Sequence, residues 1–442
     1  MKREKELFPT FAKIYKRIPV SFYEPCGFVL LMVLIGLLLL EQITVLHFGL
    51  RTFDFLYPIV GTLILVFSLL YAGHRLYLQG GAAYRGLTVT DWALLAFLGW
   101  GAVSVIFSED PFFCFVGSVY RKEGLVTWFL YGGVFAAARL VRERRYQNML
   151  LRTLAVVGCC LSVVAGLWSE EILSAYPSVI RFHRGMDLIA GYTSVFLNSN
   201  HFAYFLTMAI LTQAGMFLLE DSGKWRAAAL GMFSVSYLVL LRNNTLGGFL
   251  AVTVGLLFLY TVVLIRDKGK LRGCVLLSAC WLGILLLSQT DVTTMDDNLM
   301  DVSAVLAGDT ERRSTSSQRL DMWKKTLAMI AEDPVFGTGL EGAGKVFYSG
   351  ENDRPHNEYL QYALFTGIPG LGAYLTALIA LLLRCIRNLK QLSSQALILG
   401  TVVFGYCASA FVGNSMYYTT IYYVMVLGLL TASCQTIEEK EK

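Results

Sequence analysis

Charge is what this sequence has least of. Asp, Glu, Lys and Arg make up 16% of its 442 residues, against about 25% in a typical soluble protein. That deficit excludes a string of ordinary soluble domains. Phosphate-cradling loops of the G-x-x-x-x-G-K-[ST] or G-x-G-x-x-G kind are absent, so nothing points to nucleotide binding. There is no C-x-x-C pair. Most of the nine cysteines, Cys159, Cys160, Cys274, Cys280 and Cys407 among them, lie inside apolar runs, where they read as small packing residues. Only Cys114 falls where an exposed loop is expected. Heptads, short internal repeats and low-complexity tracts are missing as well. The His, Asp and Glu residues form no cluster with metal-ligand spacing, and Asp296 and Asp297 stand too isolated to suggest one. Neither a metal nor another cofactor is therefore expected.

What the sequence does have is hydrophobic residues, 55% of the chain at a mean hydropathy of +0.56. They fall in runs long enough to cross a hydrocarbon core of about 30 Å as helices. Runs at 26–46, 55–76, 91–107, 124–140, 149–168, 199–219, 225–241, 247–265, 271–288, 357–383, 395–412 and 416–434 predict about twelve spans, with boundaries good to about 2–4 residues. The fold class is all-α: a polytopic integral membrane protein whose large outer loop bears a short amphipathic helix. It divides into an N-terminal transmembrane region at 1–288, the large loop at 289–356 and a C-terminal transmembrane region at 357–442. The basic N-terminus precedes an apolar run without a small-residue cleavage site, which predicts a retained first span. Basic residues then recur in alternate loops, near 75–85, 139–145, 224–226, 266–272 and 384–390. By the positive-inside rule that side, together with both termini, is cytoplasmic. The net charge of +5 follows this topology, so it is no footprint of nucleic-acid binding.

The opposite, outer face receives the loops 108–123, 169–198, 242–246 and 289–356. Basic residues are disfavoured there, which singles out the few that occur. Arg121 and Lys122, in Gly117-Ser-Val-Tyr-Arg121-Lys122-Glu123-Gly124, read in either of two ways. They are snorkelling anchors on lipid headgroups, or a clamp for an anion, whose phosphate the planar guanidinium fork suits. Arg181 and Arg184 follow in the second loop, and Asn198 or Ser199 is placed to cap the next helix. Arg242 sits in a tight turn with Gly247 and Gly248. Arg319 and Trp323 are four apart and share a helix face. An apolar stripe of Leu320, Trp323, Leu327 and Ile330 marks that helix as one lying on the membrane surface. His356 closes the long loop. A neutral imidazole accepts a proton near pH 7, and a place in the first turn of a helix beginning near Pro355 favours the neutral ring. The other reading of His356 is a helix cap or an interfacial polar residue.

Together these segments resemble the O-antigen ligase and polymerase family of bacterial membrane glycosyltransferases. The resemblance rests on Arg319-x-x-x-Trp323, Asp333-Pro-Val-Phe-Gly337-Thr-Gly339, and His356-Asn-Glu-Tyr-Leu360 leading into Gly367-Ile-Pro-Gly370-Leu-Gly372. Gly117-Ser-x-x-Arg121-x-Glu-Gly124 and Phe196-Leu-Asn198-Ser-Asn200-His-Phe202 support it. It implies His356 as the catalytic base and Arg121 and Arg319 as ligands of a donor diphosphate, with Arg184 and Arg242 as further candidates. Asn200, Trp323, Asn357 and Glu358 take supporting roles. Where many members carry Ser-Arg-Gly after the seventh span, this chain reads Thr245-Leu-Gly247, a departure that bears on Arg242.

The activity so implied moves a glycan from a polyprenyl-diphosphate carrier to the hydroxyl of a glycan, lipid or cell-wall acceptor. It is metal-independent and inverting, and it takes place on the outer face of the bacterial cytoplasmic membrane. The rival is a flippase for the same lipid-linked glycans. Proton-coupled transporters place ionisable residues within their spans; here Glu41 and Asp91 fall near span ends and the distinctive charges crowd one face.

Overall fold

The computed structural model describes residues 15–48, 50–119, 121–168, 192–196, 198–288, 315–342 and 354–441. Arg181, Arg184, Asp296 and Asp297 lie outside them. At 315–321, which include Arg319 and Leu320, only the backbone is described.

Every regular element among the described residues is helical. In order come Tyr23–Phe48 (α1), Phe53–Gln79 (α2), Val89–Phe107 (α3), Pro111–Val116 (α4), Leu125–Leu140 (α5), Arg144–Leu167 (α6) and Ser199–Leu219 (α7). Gly223–Asn243 (α8), Leu246–Arg266 (α9), Leu271–Leu287 (α10), Thr315–Glu332 (α11), Glu358–Arg387 (α12), Ser394–Ser409 (α13) and Tyr417–Glu441 (α14) follow. Each expected span has its helix. Among the described residues, nine segments are long and apolar enough to cross a membrane. α5 and α13 are apolar but shorter, and α8 opens on Lys224 and Arg226. By length and composition alone, then, nine of the expected twelve qualify.

The bundle is built around α7. From His201 to Leu219 each of its side chains is buried, and a helix apolar on all sides belongs in a core. α8, α9, α13 and α6 pack around it. On the outside Val29, Val33, Leu63, Leu69, Leu257 and Leu276 are exposed. So broad an apolar surface is foreign to a soluble monomer, and in a membrane it faces lipid.

Polar contacts gather at the two ends. At one end Thr88 and Asp91 form the capping box that starts α3. Asp91 also accepts two hydrogen bonds from buried Arg139 of α5, at 2.5 and 2.8 Å. Arg152 reaches Glu220 there at 2.8 Å. The other end collects loop 117–124, the start of α7, the turn after α8, residues 333–342 and 354–357, and the turn 410–416.

α12 is interrupted on its way in from that second end. Gly367 adopts φ +65° and ψ −179°, a backbone conformation effectively reserved for glycine. The break frees backbone groups that cannot stay unpaired in an apolar interior. The segment 333–339 takes them up. Thr338 N donates to Leu364 O at 2.8 Å, Gly339 N to Phe365 O at 3.1 Å, and Ile368 N to Pro334 O at 2.8 Å. Trp100 Nε1 supplies Thr366 O at 3.0 Å. The two glycine-bearing motifs of the sequence are therefore one structural unit, a loop seated in a broken helix. A Cβ on Gly367 would collide with Val335 O, whereas one on Gly372 would meet nothing within 4 Å. Gly367→Ala is expected to lower stability by about 1–3 kcal/mol from backbone strain alone, with the collision added, and Gly372→Ala to be neutral. Melting temperatures of the two detergent-purified variants check this; equal values would remove the break as a structural requirement.

Candidate active site

Loop 117–124 is closed by its two glycines. Gly117 has φ +88°, and a Cβ there would lie 2.5 Å from Gly124 N, so the strands of the loop touch backbone to backbone. The closure presents Arg121, Lys122 and Glu123 at its tip. Lys122 Nζ pairs with Asp54 of α2 at 2.6 Å, and Arg121 is half-buried. Glu123 turns inward and is buried.

Beneath that tip lies a buried ionic cluster centred on Arg354. This guanidinium is only 2% exposed, and it reaches Glu123 Oε2 at 2.5 Å, Glu341 Oε1 at 3.0 Å and Ser415 O at 2.8 Å. Two carboxylates face one cation, so the surplus negative charge needs further donors. Tyr131 Oη and Ser415 Oγ donate to Glu123 at 2.8 and 3.0 Å. The backbone N–H groups of Glu123, at 2.7 Å, and of Ser118 donate to Glu341. Gln361 Nε2 holds Ser415 Oγ at 2.7 Å. Four chain segments, 117–124, 338–342, 354–357 and 410–416, are thereby tied into one knot. Arg354, which from the sequence reads as a third candidate for the donor phosphate after Arg121 and Arg319, is an internal tie.

Three residues of this knot carry left-handed backbones without being glycine: Lys122 at φ +57°, Glu341 at +57° and His356 at +49°. Such strain costs about 1–3 kcal/mol per residue and persists only where the surroundings over-determine it. It clusters at functional sites, and here it clusters around the residue the sequence singles out as a base.

His356 is half-buried and does not occupy the first helical turn, contrary to expectation. α12 begins at Glu358, with Asn357 as N-cap: its side chain accepts from Leu360 N at 3.0 Å. The ring is therefore carried just outside the helix end, on a left-handed step. Its neighbours are pinned on both sides. Trp323 Nε1 of α11 donates to Pro355 O at 2.7 Å, and Glu358 N donates to Ala410 O at 2.8 Å. Trp323 and Asn357 thus support His356 by fixing the chain around it. Glu358 supports it differently. Its carboxylate is buried and accepts from Tyr362 at 2.8 Å, Tyr374 at 3.3 Å and Tyr406 at 3.2 Å, which anchors the first turn of α12 in the bundle.

The other expected residues are distributed unevenly. α11 carries Arg319 four residues before Trp323. Its buried side differs from the expected stripe: Thr326 and Ile330 are buried while Leu327 is 54% exposed, on a helix that packs against α12. Asn200 is half-buried in the first turn of α7, where Asn198 Oδ1 accepts from Asn200 N and His201 N at 2.9 and 3.3 Å, as the capping reading requires. Arg242 is exposed at the last turn of α8, before Asn244 at φ +58°. Cys114 corrects another expectation. It is buried on α4, its Sγ 3.9 Å from Thr338 O, because α4 folds under the 338–342 segment.

Sequence reasoning missed Glu123 and Glu341 as the partners of Arg354, and it missed His201. The His201 ring is 92% buried (8% exposed) in the first turn of α7, and Arg121, Arg354 and His356 are within Coulombic reach of it. Its place beside two asparagines at an outer helix start was the available signal. Among the described residues no group of three His, Cys, Asp or Glu side chains is placed to hold a metal ion. A separate apolar cavity of 420 Å³ between α2, α3, α5, α12 and α14 is lined by Trp128, Arg139, Tyr362 and Tyr374 among others, and by none of the expected site residues.

A family model described as O-antigen ligase matches residues 227–375. The matched stretch contains Arg242, α11 with Trp323, the loop seated at Gly367, and the His356 step. It supports the O-antigen ligase/polymerase family and a membrane glycosyltransferase-like ligase role. No curated protein matches the chain.

Proposed function

We propose that this chain, which carries an O-antigen ligase domain at residues 227–375, transfers a glycan from a polyprenyl-diphosphate carrier to an acceptor hydroxyl. The second end of the bundle is its outer face on the bacterial cytoplasmic membrane, and both termini lie in the cytoplasm. The observation that carries the reading is the strained His356 step inside the matched stretch, held on a buried ionic knot that Glu123 and Ser415 complete from outside it.

The chemistry needs few groups. His356 accepts the proton of the acceptor hydroxyl as its oxygen attacks C1 of the donor sugar. The C1–O bond to the diphosphate breaks, and the electron pair leaves with the diphosphate. Arg121 and Arg319 neutralise the growing charge, which preorganised cations do without moving. Attack in line with the departing group inverts the anomeric centre. Arg354 has no part in holding diphosphate; its fork is committed to Glu123, Glu341 and Ser415.

Purified protein supplied with a polyprenyl-diphosphate-linked glycan and an acceptor glycan tests this. Glycosylated acceptor and free polyprenyl diphosphate are expected in equal amounts. Arg121→Ala and Arg319→Ala should each lose donor affinity by about 10-fold or more, since a charge-assisted hydrogen bond contributes about 1.5–3 kcal/mol. Lysine should restore only part, keeping the charge without the fork. A donor translocated across vesicles but never cleaved would replace this reading with the flippase.

A further inference from the structure

We infer that the apolar cavity of 420 Å³ beside α5 is a binding site for one anionic phospholipid, its acyl chain in the cavity and its phosphate on Arg75 and Arg142. Such a site needs only a membrane around the bundle, and it stands apart from the transferase reading. Trp128, Tyr131, Gly132, Phe135, Ala136 and Arg139 line the cavity from α5, and their spacing of three and four residues makes them one helix face. From Trp128 in the first turn to Arg139 in the last, that face is about 16 Å long at 1.5 Å per residue. This is about half of a hydrocarbon core of about 30 Å, the depth of one leaflet. The way in is lateral. α2 packs on α5, and α3 on α5 and α12, while α2 and α3 have little contact with each other. Ala72 of α2 and Leu95 of α3 both line the cavity and are exposed where lipid lies.

The two ends of the cavity differ. Toward the ionic knot it is shut by Tyr131, Tyr362 and Tyr374, whose hydroxyls are spent on Glu123 and Glu358 at 2.8, 2.8 and 3.3 Å. A donor chain threaded from the His356 end would have to break those bonds, so the occupant enters from the bilayer. The opposite end is a cationic mouth, with three arginines and one carboxylate in its lining. That carboxylate, Asp91, is taken up by Arg139 at 2.5 and 2.8 Å. Arg75 donates from Nη2 to the exposed Gln79 at 2.8 Å. It lies over Gly86, its Nη atoms 3.8 and 3.9 Å from where a Cβ would stand. Two further carboxylates are close by. Glu24 accepts from the backbone N–H groups of Arg142 and Glu143 at 2.6 Å each, and Glu143 pairs with Arg145 at 2.6 Å. Arg85 and Arg144 are exposed beside them, so cations still exceed carboxylates at this mouth. A basic pocket between spanning helices suits an anionic headgroup, and the guanidinium fork suits its phosphate.

The test follows the quenching of Trp128 by phospholipids brominated on their acyl chains, in the purified full-length protein. A Trp128→Phe variant gives the quenching of the other tryptophans, which is subtracted. Phosphatidylglycerol is expected to reach half of the Trp128 quenching at about 10-fold lower mole fraction than phosphatidylcholine with the same chains, the worth of one charge-assisted hydrogen bond. Arg75→Gln should abolish most of that preference. Ala136→Phe, which fills the cavity, should remove Trp128 quenching by both lipids. Arg75→Gln, at a half-buried position, is decisive by itself should the phenylalanine variant not fold. Equal quenching by the two lipids in the wild type, or a preference that survives in Arg75→Gln, would overturn the phosphate site. Unbrominated polyprenyl phosphate that displaces the probe better than unbrominated phosphatidylglycerol would give the cavity to the donor's chain and overturn the assignment.

Discussion

Replacing His356 by alanine should lower glycan transfer by about 10²- to 10⁴-fold, the loss expected when a general base is removed, and should leave the protein folded. The fold does not depend on the ring. Asn357 caps α12, Trp323 holds Pro355, and Arg354 carries the ionic knot. The left-handed step at φ +49° makes the argument sharper. Glycine adopts that conformation without penalty, so His356→Gly should be at least as stable as His356→Ala. It should also be just as inactive. Glutamine, which keeps a hydrogen-bonding side chain but takes no proton, should fail with them. A base must be neutral to act, so the wild-type rate falls as pH drops through the titration of an imidazole, and the residual rate of the glutamine variant should lack that limb. Steady-state transfer by the four purified proteins between pH 5 and 8, roughly the range over which a histidine changes charge, decides the matter. A glutamine variant that retains most of the rate would end the base assignment.

Arg354→Met should be the most damaging single change for stability. It leaves Glu123 and Glu341 buried without their cation, and removing one partner from a buried ionic network costs about 3–5 kcal/mol. The penalty comes from the carboxylates left behind, so it should be relieved by neutralising them. The triple variant Arg354→Met, Glu123→Gln, Glu341→Gln is expected to regain much of the melting temperature. Arg354→Lys should fall between, because an ammonium cannot reach two carboxylates and a carbonyl with a planar fork. Thermal unfolding in detergent measures all three. A methionine variant as stable as wild type, or a triple variant less stable than the methionine variant, would show that the knot does not hold these segments together.

The helices were legible because a membrane imposes a simple rule on sequence. The run at 91–107 became Val89–Phe107, and that at 247–265 became Leu246–Arg266. Apolar length and flanking charge alone locate such segments. Asn198 as a cap was legible for a similar reason, since capping is decided within four residues. The knot was not. Glu123 and Arg354 are 231 residues apart, and no local pattern tells an arginine in a loop that it will be buried between two glutamates. The left-handed step at His356 was also hidden, because a histidine carries no mark of the backbone conformation its neighbours force on it. Leu327 shows a third limit. Helical periodicity gives two or three nearly equivalent faces, and only the packing of α11 on α12 selects among them.

The order in which a ribosome delivers the knot follows from its long reach. Glu123 precedes Arg354 by 231 residues and Ser415 by 292. At a synthesis rate of about 5–20 residues per second, the first glutamate waits tens of seconds for its cation and longer for the hydroxyl beside it. For most of that interval Glu123 stands without Glu341 as well, which follows it by 218 residues. The step becomes fixed only when the turn between α13 and α14 arrives, since Ala410 O takes the bond from Glu358 N. The proposed site is therefore assembled late, and no length of chain short of Ser415 holds all of its ties.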